Sequence, residues 1–212
     1  VGICTTGRTA VTVTVNPNPA APIAPGAIIC SGSATTLSVV AEPGNTYQWY
    51  NIANGGAPLI ISPDFTTPIL SATTTYYVQA RVGNCTSGRT AVTVTVIPLP
   101  AAPTASGITI CSGSAATLSA TAPGGTYQWY DVANGGAPLI ISPDFTTPAL
   151  TATITYYVQT TLNGCISTRT PVTVTVNPIP TAPSAIGATI CSGSATTLTA
   201  TAPGGNYEWF GS

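Results

Sequence analysis

The residues best suited to covalent chemistry in this chain are its six cysteines, Cys4, Cys30, Cys85, Cys111, Cys165 and Cys191. They are even in number, and the intervals alternate between 26 and 54 or 55 residues. There is no histidine and no pair of cysteines two residues apart, so a zinc site has no ligand pattern to rest on. Regularly spaced, even-numbered cysteines point instead to disulfides and an oxidising compartment. The second set of reactive groups is the charges, of which there are few: four arginines and five acids, a net charge of −1, and no lysine. Arg8, Arg89 and Arg169 recur in equivalent positions, as do Asp64 and Asp144. This repetition predicts two structural ion pairs, Asp64 with Arg89 and Asp144 with Arg169; a ligand contact is the alternative use of the same residues.

Catalysis finds no support in these types. Without histidine a Ser-His-Asp triad cannot be assembled. The acids are too few and too scattered for a glycosidase pair or a calcium cage. No cofactor or metal is expected. Asn54-Gly55-Gly56 and Asn134-Gly135-Gly136 read as hairpin turns rather than phosphate loops, because no lysine follows. Charged residues make up 4% of the chain, against about 25% in ordinary soluble domains. Nucleic acid and anionic lipid therefore have no basic surface to bind, and no apolar run is long enough to span a membrane.

An internal repeat positions all of these residues. CSGSATTL at Cys30 returns as CSGSAATL at Cys111 and CSGSATTL at Cys191; YQWY ends at Tyr50 and Tyr130, and YEWF at Phe210. ANGGAPLIISPDFTTP recurs unchanged, and AVTVTV, AVTVTV and PVTVTV begin at residues 10, 91 and 171. The period is 80 or 81 residues. Proline-rich joins follow each VTVTV run and favour short, semi-rigid connections. The predicted organisation is the C-terminal strand of a preceding repeat at 1–16, complete repeats at 17–97 and 98–177, and the N-terminal part of a further repeat at 178–212. The chain thus reads as a window on a longer array.

Within a repeat, Val92–Val96 alternates apolar and polar residues, the period of a half-buried strand. Asn163-Gly164 is a hairpin signal. About seven short strands and no sustained helical period predict an all-β fold, a small Greek-key sandwich of immunoglobulin-like type. Trp49, Trp129 and Trp209 are the expected core aromatics, with Tyr157 beside them; two further strands, D and E, are expected between Pro138 and Leu150. The 39 threonines suit solvated strand faces or O-glycosylation. Asn84-Cys85-Thr86 matches an N-glycosylation sequon in one repeat only.

The ordered motifs CSG, YQWY, TYYVQ, NGC and RTAVTVTV resemble the Ig-like repeats of very large secreted surface proteins of Bacteroidota, among them gliding adhesins exported by the type IX route. The likeness runs along the whole chain. It implies an extracellular, structural or adhesive role, with neighbouring Ig-like repeats or copies of the chain as partners. Surface glycans or other cells would be met through regions outside this segment. A carbohydrate-binding module of a secreted enzyme is the alternative reading, and exposed aromatics aligned on one face would favour it.

Two disulfide schemes remain open on this strand order. One pairs Cys30 with Cys85 and Cys111 with Cys165, within repeats. The other pairs Cys30 with Cys165 across the joint, because Cys111 and Cys165 fall at opposite poles of one sandwich. A six-residue strand spans about 20 Å, whereas bridged Cα atoms lie within about 7 Å.

Overall fold

A computed structural model describes residues 2–4, 6–204 and 206–211. It divides into two compact units, residues 1–99 and 100–212. The first carries β1 (Ala27–Cys30), β2 (Thr36–Ser38), β3 (Thr46–Tyr50), β4 (Ile60–Ile61), β5 (Asp64–Thr66), β6 (Thr74–Val82), β7 (Cys85–Thr86) and β8 (Thr90–Ile97). The second repeats this order with β9 (Thr104–Ala105), β10 (Ile108–Cys111), β11 (Thr117–Thr121), β12 (Thr126–Tyr130), β13 (Ile140–Ile141), β14 (Asp144–Thr146), β15 (Ile154–Leu162), β16 (Cys165–Ile166) and β17 (Thr170–Asn177). It ends with the short pair β18 (Ser184–Ala185) and β19 (Ala200–Thr201).

In each unit a large sheet packs on a small one. The large sheets run β1-β8-β6-β3-β4 and β10-β17-β15-β12-β13; the small ones are β2-β5 and β14-β11-β9. Alternation decides which side chains meet between them. Val92 and Val94 of β8 are buried while Thr93 and Thr95 face out. Between the sheets Trp49 and Trp129 have no exposed surface. Trp49 lies 5.7 Å from Phe65, which lies 4.8 Å from Tyr76; Trp129, Phe145 and Tyr156 repeat this arrangement at 5.7 and 4.8 Å. Each indole also donates a hydrogen bond, Trp49 Nε1 to the Ser62 carbonyl and Trp129 Nε1 to the Ser142 carbonyl, at 3.1 and 3.2 Å. Losing such a side chain costs about 3–5 kcal/mol.

The outward threonines pair across strands. Thr36 meets Thr66, Thr75 meets Thr93, Thr117 meets Thr146 and Thr155 meets Thr173, hydroxyl to hydroxyl at 2.9–3.1 Å. Such pairs contribute about 0.2–1 kcal/mol each and give much of the threonine a place on solvated strand faces.

The first strand of the second repeat changes sheets. β9 pairs antiparallel with β11, then β10 pairs parallel with β17. Gly107 lies at the switch, where a Cβ would collide with the Thr173 carbonyl oxygen; Gly26 meets the Thr93 carbonyl in the same way. The Asn163-Gly164 hairpin forms as expected, with φ of 52° and 79°, the left-handed pair that a two-residue turn requires.

Four expectations need correcting. The segment read as strand D pairs with the tryptophan strand instead, Trp49 opposite Ile60 and Trp129 opposite Ile140. Its glycine-rich turn carries the chain straight back along its own neighbour. On β6 and β15 it is Tyr76 and Tyr156 that enter the core. Tyr157 takes the outer face, because a strand alternates. Trp209 is 56% exposed, since residues 178–212 contain no counterpart of β6 and β8 to cover it. Local structure nevertheless survives there: the Tyr207 hydroxyl accepts from the Ala202 amide at 2.9 Å, as Tyr127 does from Ala122. Finally, residues 10–15 form no strand, and Val11, Val13 and Val15 are 83–85% exposed. The matching strands β8 and β17 are interior ones, each paired on both sides.

Gly107→Ala is expected to lower stability by about 2 kcal/mol or more, because backbone must move to admit the methyl group. Gly88→Ala, where a Cβ meets open space, should stay within about 0.5 kcal/mol; urea midpoints compare the two. Burial raises the phenol pKa of Tyr76, and burial together with the charge of Asp131 raises that of Tyr156. A raised folded-state value favours the neutral phenol in the fold. The stability it gives should be constant below the ordinary tyrosine value of about 10 and fall as pH rises through the folded value. Urea titrations between neutral and strongly alkaline pH should show that fall, and it should shrink in a Tyr76→Phe, Tyr156→Phe double variant.

Candidate functional site

The outer face of each large sheet carries polar residues that the strand period places opposite the tryptophan. On β3 these are Gln48 and Tyr50, on β6 Tyr77 and Gln79, and Arg89 stands just before β8. The loop 51–58 folds over them. Its Gly55 and Gly56 have φ of 70° and 71°, a left-handed conformation that glycine adopts without strain. Arg89 donates from Nη1 to the Ile52 carbonyl at 2.7 Å, from Nη2 to the Gly55 carbonyl at 2.8 Å and from Nε to Gln79 Oε1 at 3.3 Å. Its Cζ lies 3.3 Å from the centre of the Tyr50 ring, a cation–π contact. Beneath it, the Tyr50 hydroxyl and Gln79 Nε2 both donate to Gln48 Oε1, at 2.9 and 3.0 Å.

The second repeat builds the same site from Gln128, Tyr130, Tyr157, Gln159 and Arg169. The guanidinium reaches the Val132 carbonyl at 2.6 Å, the Gly135 carbonyl at 2.9 Å and Gln159 Oε1 at 3.0 Å, with Cζ 3.4 Å over Tyr130. Gln159 Nε2 donates to Gln128 Oε1 at 2.9 Å and to the Tyr130 hydroxyl at 3.0 Å. The arginine therefore pins a loop to a sheet by a cation on a ring and three hydrogen bonds.

This arrangement replaces the expected ion pairs. Asp64 and Asp144 begin β5 and β14 in the small sheets, where their backbone amides donate to the hydroxyls of Ser62 and Ser142. Arg89 and Arg169 bond to carbonyls and amide oxygens on the other sheet. Recurrence of Asp and Arg marked real structural positions but paired the wrong partners. The usable signal was the joint recurrence of the glutamine in YQWY, the glutamine in YYVQ and the arginine, all at outward strand positions.

Beside each arginine lies an open cavity of about 410 Å³ in the second repeat and 420 Å³ in the first. Asn134, Tyr157, Gln159, Ser167 and Arg169 line the former; Asn54, Tyr77, Gln79, Ser87 and Arg89 line the latter. The Ser87 and Ser167 hydroxyls accept from the amides of Ala80 and Thr160 and donate to the carbonyl of the next residue, Gly88 or Thr168. The lining offers hydrogen bonds, a ring face and a cation. It contains no acid–base pair and no activated nucleophile.

The cysteines occupy the ends of the large sheets. Within the first repeat, Cys30 stands opposite Ile97 at the end of β8, whereas Cys85 stands opposite Val82 before β8 begins. Cys111 and Cys165 are placed likewise, opposite Asn177 and Leu162. Eight residues of strand, about 25 Å, separate the members of each pair. Cys4, Cys85, Cys111 and Cys191 are free thiols, while Cys30 is disulfide-bonded and so is Cys165. The within-repeat bridges, Cys30–Cys85 and Cys111–Cys165, are thereby corrected: the sheet holds their members too far apart.

A family model described as "Ig-like domain CHU_C associated" matches residues 19–98 and again residues 100–178. The chain belongs to this family. Its two Ig-like domains also have distant likenesses among solved structures. The N-terminal Ig1-2 module of the Drosophila receptor protein tyrosine phosphatase DLAR is 12% identical, over 74% of this chain and 98% of that one, with a TM-score of 0.31. Sidekick-1 immunoglobulin domains 1–5 are 18% identical, over 78% of this chain and 40% of that one, with a TM-score of 0.33. No curated protein matches. Among the described residues no helix is long and apolar enough to cross a membrane.

Arg169→Ala is expected to destabilise the second Ig-like domain by about 2–3 kcal/mol, because a cation–π contact and hydrogen bonds to a charged donor are lost together. Arg169→Lys should restore little, since an ammonium cannot span both carbonyls and the glutamine as a planar fork does. Asp144→Asn should leave stability nearly unchanged. Urea unfolding measures all three, and hydrogen exchange should show residues 131–138 opening first in Arg169→Ala.

Proposed function

We propose that this chain is a load-bearing segment of an extracellular bacterial stalk or filament, built from Ig-like domains joined in tandem and stapled by a Cys30–Cys165 disulfide across the joint. The single observation that carries it is the state of the cysteines: Cys30 and Cys165 are the oxidised ones, and they sit on different repeats. Extending the pattern, Cys85 is the partner for a cysteine of a preceding repeat and Cys111 for one of a following repeat. One covalent staple per joint suits a chain that must transmit tension without unravelling.

Two further features support a structural role over a catalytic one. The same domain occurs twice with the same site, and the cavity lining holds no catalytic set. The disulfide chemistry and the family both fit secretion, and the motif likeness to Bacteroidota surface proteins extends the proposal to the type IX route. A tryptophan platform for glycans is not supported, because Trp49 and Trp129 are wholly buried.

Non-reducing peptide mapping should yield a cross-linked peptide containing Cys30 and Cys165; a Cys30–Cys85 peptide in its place would overturn the staple. Electron microscopy of native material should show long beaded filaments that loosen on reduction. Separate short particles, indifferent to reductant, would count against the filament.

A further inference from the structure

We propose that the groove beside Arg89, and its copy beside Arg169, each bind a carboxylate-bearing sugar, a uronic acid unit of an acidic polysaccharide. This binding role is additional to the structural one and does not depend on it.

The cation is the first reason. All partners of each arginine are neutral: two carbonyls, one amide oxygen and a tyrosine ring. Among the described residues no carboxylate is a partner of either arginine. A guanidinium has five N–H donors, and three are engaged here, leaving two on a half-buried side chain that forms part of the cavity wall. The planar fork is held in place before any ligand arrives, and its natural complement is a carboxylate.

The second reason is what surrounds it. Tyr77 and Tyr157 are half-buried and wall the groove, and among the described residues neither phenol makes a hydrogen bond. Asn54 and Asn134, on the loop side of the same groove, are exposed, with side-chain amides that likewise make none. A ring face for the C–H surface of a pyranose, an amide for its hydroxyls and a cation for its carboxylate converge on one concave site, the pattern of a small-ligand pocket. The volume of about 410–420 Å³ accommodates a sugar unit, and the groove is open, so a polymer can pass across it.

An acidic peptide suits this place less well. An extended peptide gains affinity from backbone hydrogen bonds at a free sheet edge, but the groove lies over β6 and β15, interior strands paired on both sides. A polymer of repeating acidic sugars meeting a repeated site also gains by multivalency.

The test is affinity electrophoresis of the full chain in gels containing polygalacturonate, the same polymer fully methyl-esterified, or poly-glutamate. Polygalacturonate alone should retard the chain, and added salt should weaken the effect. A Tyr77→Ala, Tyr157→Ala double variant should lose about tenfold or more in affinity. An Asn54→Ala, Asn134→Ala double variant, altered only at exposed side chains, should weaken binding with unchanged thermal unfolding. Absence of retardation overturns the proposal, as does equal retardation by the esterified polymer or by poly-glutamate. Unchanged binding in the asparagine variant overturns it even where the tyrosine variant does not fold.

Discussion

One tryptophan per complete repeat, with no exposed surface, decides how the rest of the domain is arranged. Trp49 and Trp129 fill the gap between a five-strand path and a much smaller sheet. Immunoglobulin domains of antibodies pin that tryptophan against a disulfide between the sheets. Here Leu37, Val78 and Val92, with Phe65 and Tyr76, supply the contacts. The core therefore needs no cystine, and the cysteines are released to the ends of the sheet. This division of labour explains a chain that is rich in cysteine for its core size yet places none of it between its sheets, Cys165 being buried at a sheet end.

The same strands carry a second, polar layer on their other face. Strand alternation puts Trp129 inside and Tyr130 outside, Tyr156 inside and Tyr157 outside. A sheet face left open would lose nothing in water, so the arginine must be there for the loop. Residues 51–57 and 131–138 are exposed, and the arginine holds two of their carbonyls, those of Ile52 and Gly55 or of Val132 and Gly135. In a chain with four arginines, assigning two to the same task indicates how much the loop position matters.

Fold and site were unequally legible from the residues. Val92–Val96 alternates so cleanly that its inward valines follow from the sequence alone, and Asn163-Gly164 announces its own turn. Tyr156 and Tyr157 are harder: two tyrosines in a row leave the register undecided until the neighbouring strand is placed. The short strand at Ile140–Ile141 is hard to place for a related reason, since two isoleucines show no period and either sheet could accept them. The arginine site was hidden because its bonds run to backbone carbonyls, which have no residue type. A pairing between opposite charges was visible in the letters; a pairing between a guanidinium and two peptide groups was not.

The charge-poor surface and the proposed staple bear on the same physical question, how a long array resists both unfolding and separation. A disulfide within a domain would act by limiting the unfolded chain, and so would add to domain stability. A disulfide between domains leaves each core to stand on its own packing and instead keeps neighbours joined when one of them opens. Reduction should then affect connection more than folding, because the Trp, Phe and Tyr stack of each core owes nothing to sulfur. Stability that rests on buried aromatics and threonine pairs, with few ion pairs to screen, also changes little with salt. That independence from ionic strength and from the cysteines is what the proposed tension-bearing role requires of its folding unit, and under that proposal the cysteines are left to hold one repeat to the next.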